Sequence, residues 1–237
     1  MSDKKSTASL FYREYQYEYL FYRRICYYLY HNLYLADHTV FNEELCNWLR
    51  DELELVHLAA KLKQNLERNV SVEEMIYPVF KEINYLTYEE MKGFNSRIVT
   101  YGKEKAAVRQ KRKGDALTEN GMYVNAIRVY QKLLEREDLS EQRKGFAASV
   151  RYNLGCAYSY LFQMEKAQEC FLESYREAHS KDALKAYIIA YSSVHDKTDY
   201  DKVMEELEVD EELKKDIKRR NQAVSESFRV CTGRENR

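Results

Sequence analysis

The stretch LGCAYSYLFQMEKAQECFLES, residues 154–174, decides how this chain is read. A small residue, Gly155, sits among helix formers. Twelve residues on stands a second small residue, Ala167, and four beyond that a large aromatic, Phe171. Working outward, the same spacing occurs upstream in GDALTENGMYVNAIRVYQKL, residues 114–133, through Gly114, Ala126 and Tyr130. A small residue on each of two helices lets their backbones approach. A large ring one turn further along the same face fills the space beside them. Tyr123 and Met164 stand at matching places just after the turn in each unit. Small residues at helical spacing are common, so one unit is weak; two in tandem with equal spacing mark a repeat.

These paired units resemble the tetratricopeptide repeat family over about residues 109–207. The resemblance implies an all-α fold: antiparallel helical hairpins stacked as a short right-handed α-solenoid, preceded by an N-terminal helical region. Three departures are visible. Gly114 and Gly155 lie 41 residues apart, against a family period of about 34. The excess falls in the charged stretch Glu135 to Gly145, so the second helix of that hairpin or its link is longer than usual. The family's Trp is missing from both units, and Phe162 replaces the turn Gly of the second. A poorer third unit follows, with a helix over Asp182 to Val194, a turn at His195 to Asp199, and Tyr200, Val203 and Leu207 on its partner. Residues Glu211 to Phe228 read as a charged capping helix, since an end repeat must present a polar outer face.

The organisation expected is a Tyr-rich helical region over 1–100, which degenerate repeats would also explain, the repeats with their cap over 101–230, and a frayed tail over 231–237. In the first region Tyr12, Tyr15, Tyr19, Tyr22, Cys26, Leu29 and Leu33 recur every three or four residues and predict a helix from Leu10 to Leu35. Other apolar residues on its remaining faces call for neighbours on more than one side, or a second subunit. A second helix is predicted from Phe41 to Arg68, packed through Trp48. Ser71 to Glu74 and Thr87 to Glu90 read as capping boxes. The first opens a helix kinked by Pro78; the second opens a long helix toward Glu119, interrupted near Gly93 or Gly102.

Composition agrees with helices. The 237 residues contain one Pro and 7 Gly, too few for the turns of an all-β protein. The 22 Tyr fit a large half-wet helix packing surface, an aromatic groove or an oligomer interface. A formal net charge of −1 gives no electrostatic case for nucleic acid or an anionic membrane. The most apolar run, Tyr19 to Ala36, contains Arg23, Arg24, His31 and Asn32, so no spanning helix is expected. The polar stretch Met1 to Ser9 gives no signal peptide. Five scattered Cys without a C-x-x-C pair fit reduced, buried thiols and a cytoplasmic setting better than disulfides or zinc.

The resemblance also implies where a partner would be held. The first helix of each hairpin lines a concave groove, and its exposed positions contact a peptide or protein segment. The candidates are Lys111, Asp115, Thr118 and Glu119 in the first unit and Tyr152, Asn153, Cys156, Ser159 and Tyr160 in the second. In the third they are Lys185, Ile189, Ser192 and Ser193. Some family members grip a C-terminal carboxylate with Lys and Asn on these helices and Lys plus Arg on the third. Lys111 and Asn153 match two such positions. However, Asp115 stands where an Asn is needed and would repel the carboxylate, and the third helix has no Arg. The basic run Lys103, Lys105, Arg109, Lys111, Arg112 and Lys113 reads as a solvated helix face, with a docking patch for an acidic partner or nucleic acid as the alternative.

No phosphate loop, nucleophile elbow or H-E-x-x-H run is present, and the five His have no metal-ligand spacing with Cys or carboxylates. No cofactor, metal or catalytic residue is therefore expected. The leading reading is a non-catalytic protein-interaction module. The alternatives are a bacterial peptide-sensing regulator with a helical effector region, although no DNA-binding helix pair is evident, and a structural homo-oligomer joined through the aromatic N-terminal helix.

Overall fold

The computed structural model describes residues 19–217 and Arg219, and among them there is no strand. The chain divides into two compact units, Met1–Ala116 and Leu117–Arg237. The expected helix start at Leu10, the end of the capping helix, the tail and Cys231 lie outside the described residues.

The first unit contains α1 (19–31), α2 (Glu43–Asp51), α3 (Val56–Glu67), α4 (Val72–Glu82), α5 (Tyr88–Lys103) and most of α6 (Ala106–Glu119). Tyr22, Cys26, Leu29 and Leu33 are buried, the stripe that periodicity predicts, whereas Tyr19 is exposed. Leu33–Leu35 is a short 3-10 turn rather than the end of α1. The core joins α1 to Leu49, Leu62, Ile76, Val79, Phe80 and Phe94, with the Phe80 and Phe94 rings edge to face at 5.1 Å.

The single helix predicted from Phe41 to Arg68 is two. Asn42 caps α2 by accepting from the Leu45 amide, and the chain leaves helical geometry after Asp51, with Glu54 at φ 53°. The inward face shifts phase across this break, from Cys46 and Leu49 to Leu58, Ala59 and Leu62, while Val56 faces water. A straight helix would carry these two stripes apart; the turn lets α2 and α3 pack on each other. The long helix after Thr87 ends at Lys103, at the interruption expected near Gly102, with Glu104 extended.

Both predicted caps form, to different degrees. Thr87 and Glu90 make the full reciprocal box. Ser71 accepts from the Glu74 amide at 3.3 Å, but the Glu74 carboxylate meets the Ser71 hydroxyl rather than its backbone. Inside α4, Pro78 lacks the N–H that would reach the Glu74 carbonyl. The buried Asn65 side chain on α3 supplies that donor at 2.9 Å. At the far end of α4 the Val79 carbonyl accepts from the Tyr22 hydroxyl at 2.7 Å. Two backbone oxygens that α4 cannot satisfy itself are thus bonded from neighbouring helices, as burial requires.

The second unit holds the last turn of α6, then α7 (Tyr123–Leu134), α8 (Phe146–Tyr160), α9 (Met164–Ala178), α10 (Lys181–Ser192), α11 (Lys197–Glu206) and the helical residues 211–217, α12. α8 packs on α7 and α9, and α10 packs on α9 and α11. The longer link of the first hairpin is not extra helix. α7 stops at Leu134, and Glu137–Glu141 forms a 3-10 turn. Asp196 caps α11 by accepting from the Thr198 and Asp199 amides.

Two turns of this unit are built alike. After α6 the Met122 amide donates to the Leu117 carbonyl at 2.8 Å, and that of Gly121 to Thr118 at 3.0 Å. After α8 the Gln163 amide donates to Tyr158 and that of Phe162 to Ser159, both at 3.0 Å. This pattern closes a helix end through one left-handed residue. Gly121 takes that place at φ 73°; in the second turn Phe162 does so at φ 57° with its ring 84 % exposed.

Candidate functional site

The spacing that defines the repeat corresponds to packing. Gly114, Ala126 and Tyr130 are buried, as are Gly155, Ala167 and Phe171. At Gly155 the fit is tight: a Cβ there would lie 2.7 Å from a ring carbon of Phe171. Only Gly permits the α9 ring to rest on the α8 backbone so closely. Polar contacts hold the same pair of helices. The buried Ser174 hydroxyl donates to the Ala148 carbonyl at 2.8 Å, and Arg151 spans Glu173 and Glu177 at 3.1 and 2.6 Å. Between α7 and α8, Gln131 donates to the Tyr158 hydroxyl at 3.1 Å.

On this scaffold, four of the five α8 candidates, Tyr152, Asn153, Cys156 and Ser159, are half-buried and share one face by helical spacing. Tyr160 is exposed and stacks on Tyr123, rings 4.5 Å apart and 9° from parallel. Burial pushes the Cys156 thiol up, and the hydrogen bond from Tyr152 pulls against it, with the net direction upward. Cys170 is pushed up to about 12, by burial first and then by Glu173 and Glu169. Thiols in such surroundings are poor nucleophiles. Among the described residues no cluster of three or more His, Cys, Asp or Glu is placed to hold a metal ion.

A cavity of about 250 Å³ opens between α8, α9 and α10. Ser159 borders it from α8, and Met164 and Phe171 from α9. From α10 come Ile189 and Ser193, with Ala186 and Ala190 leaving room between them. The structure therefore brings Ser159, Ile189 and Ser193 together. Lys185 lies elsewhere: it pairs with Asp216 and borders a second, charged cavity with Asp182 and Asp210. In the sequence Phe171 appears as a packing residue and Met164 as a position just after the turn. Their part in the cavity depends on the small residues Ala186 and Ala190, four apart on α10.

The first-unit candidates Lys111 and Asp115 form an ion pair with each other at 2.9 Å. Thr118, half-buried, and Glu119, exposed, occupy the last turn of α6. Two further members of the basic run are paired inside their own unit, Arg112 with Glu104 at 2.9 Å and Lys113 with Asp37.

Residues 148–178, which span nearly all of α8, its turn and α9, match the tetratricopeptide repeat family. Over those residues the hairpin is similar to a tetratricopeptide repeat. No curated protein and no solved structure matches the chain. The repeat accounts for the alternation of small and large residues between α8 and α9, and for the stacked helical pairs around them. Tetratricopeptide repeats typically act as scaffolds for protein–protein interaction rather than as catalysts. Among the described residues no helix is long and apolar enough to cross a membrane.

Proposed function

We propose that the second unit is a non-catalytic interaction module that holds a peptide or protein segment against the face shared by α8 and α10. The observation that carries this reading is the cavity bordered by Ser159, Ile189 and Ser193, three groove positions expected from the sequence, beside the hairpin that matches the family. The half-buried face of Tyr152, Asn153 and Cys156 continues it along α8. Aromatic and polar side chains on a rigid helical scaffold suit recognition of an extended segment. Raised thiol values at Cys156 and Cys170 also favour binding over covalent chemistry.

The test is quantitative affinity purification from the native cell, comparing the wild-type chain with Ser159→Arg and with Glu169→Arg on the exposed face of α9. Ser159→Arg is expected to lose the partners that both wild type and Glu169→Arg retain. Equal recovery by all three chains removes the groove assignment.

A second reading has its own support. Leu20, Phe21 and Tyr27 on α1 are 55, 49 and 59 % exposed, and exposed apolar patches mark association surfaces. Self-association through α1 predicts a dimer by light scattering that Leu20→Glu with Tyr27→Glu converts to monomer. A monomeric wild-type chain rules it out.

A further inference from the structure

We propose that the cavity between α8, α9 and α10 takes one internal, uncharged side chain of the bound segment, leucine-like or aromatic, and excludes a chain terminus; this deepens the groove reading and rests on it. Size comes first. About 250 Å³ is below the roughly 300–1,000 Å³ of pockets that enclose whole small-molecule ligands. It exceeds the roughly 150 Å³ of an apolar cavity that holds benzene. One branched or aromatic side chain fits that range.

Hydrogen-bonding capacity comes next. The cavity is bordered by Met, Phe, Ile and Ala, and its polar side chains are the two Ser hydroxyls. Ser159 donates its proton to the Gly155 carbonyl at 2.9 Å, and Ser193 donates to that of Ala190 at 2.6 Å. A hydroxyl has one proton and two lone pairs, so both present only acceptors to a ligand. The complement is an apolar tip flanked by N–H donors, as in the middle of a peptide segment. A carboxylate would face lone pairs, and an ammonium would enter an apolar space at high desolvation cost.

Charge points the same way. Three cations on these helices already have anions: Lys185 pairs with Asp216, Lys181 with Asp210 at 3.1 Å, and Arg151 with Glu173 and Glu177. A terminal carboxylate drawn to one of these three would have to displace its partner.

The experiment is methyl NMR on the full chain carrying labelled Ala, Ile and Met methyl groups. The probes are N-acetyl-leucine N-methylamide, free N-acetyl-leucine, and the N-methylamide of α-N-acetyl-lysine. Expected are saturable shifts of Ile189, Ala186, Ala190 and Met164 with the neutral leucine probe, roughly tenfold weaker binding of the carboxylate, and no saturable shift with the lysine probe. Ala186→Leu and, at the mouth, Ser193→Leu should each abolish the shifts while keeping the helical circular-dichroism signal. Several results would overturn the proposal: equal response to the three probes, shifts that spread equally to Met75 and Ala107 of the first unit, or no saturable shift. Binding that appears only after deletion of residues 220–237 would assign the cavity to the chain's own tail instead. Any of these leaves the affinity-purification test of Ser159→Arg standing, whereas failure of that test beside selective probe binding sinks the groove reading alone.

Discussion

Replacing Gly155 by Ala adds one methyl group to α8, and the structure fixes where it would go. Its carbon would lie 2.7, 2.8 and 3.0 Å from three ring carbons of Phe171, whereas carbon atoms rest at about 3.5–4.0 Å. The ring must retreat by roughly 1 Å. Tyr152 stands beside it, centroids 5.5 Å apart, so the open direction is the cavity under Ile189. Overpacking of this kind costs about 1–3 kcal/mol, and the helix preference of Ala over Gly returns about 1 kcal/mol. The expected net effect is a loss of about 1 kcal/mol. Gly93, exposed on α5, is the control: a Cβ there meets nothing within 4 Å, so Gly93→Ala should gain about 1 kcal/mol. Urea denaturation followed by circular dichroism measures both. Adding Phe171→Leu to Gly155→Ala should relieve the crowding, and a double-mutant cycle isolates that coupling. If Gly155→Ala raises the midpoint as Gly93→Ala does, the close approach of α8 and α9 is not the constraint described.

Asn65→Ala should cost about 1–3 kcal/mol, because the Glu74 carbonyl loses its donor; in a Pro78→Ala background, which restores the helix N–H, that cost should fall by about 1 kcal/mol, read from the same urea curves. Phe162→Gly should gain roughly 0.5 kcal/mol, since a left-handed residue costs about 1–2 kcal/mol unless it is Gly, part of which the freer unfolded chain offsets; a lowered midpoint would mean that the exposed ring makes contacts of its own. Burial raises the Asp37 carboxyl, but Lys113 and the hydroxyl and amide of Thr39 outweigh it and hold the group below its ordinary value. A depressed folded value gives stability that is present above the unfolded value, about pH 4, and lost as pH falls through the folded one. The wild-type midpoint should therefore drop more steeply below about pH 4 than that of Asp37→Asn.

The repeat was legible because it rests on residue size at fixed spacing: Gly155, Ala167 and Phe171 are buried where that spacing places them. The cap at Thr87 was legible because its signal is local. The break between α2 and α3 was not, because Glu54 reaches the left-handed region without a Gly, Asn or Pro to announce it. The clue in the sequence was the phase slip of the apolar stripe after Leu53, not a turn residue. The α8 candidates came from the resemblance to the repeat family, and four of them share one half-buried face. The cavity beside that face was not legible, since it arises from mass that Ala186 and Ala190 lack opposite Phe171. Lys185 read as a groove candidate because nothing local announces Asp216, its partner 31 residues away in sequence.

The most direct measurement is site-specific photo-crosslinking in the native cell, with the reactive side chain placed at Ser193, on the mouth of the cavity, and in a parallel chain at Glu169, on the exposed face of α9. Adducts to one partner protein at position 193, absent at 169 and suppressed by Ser159→Arg, are the predicted result. Adducts of equal yield at both positions, or at 169 alone, would contradict binding along α8 and α10.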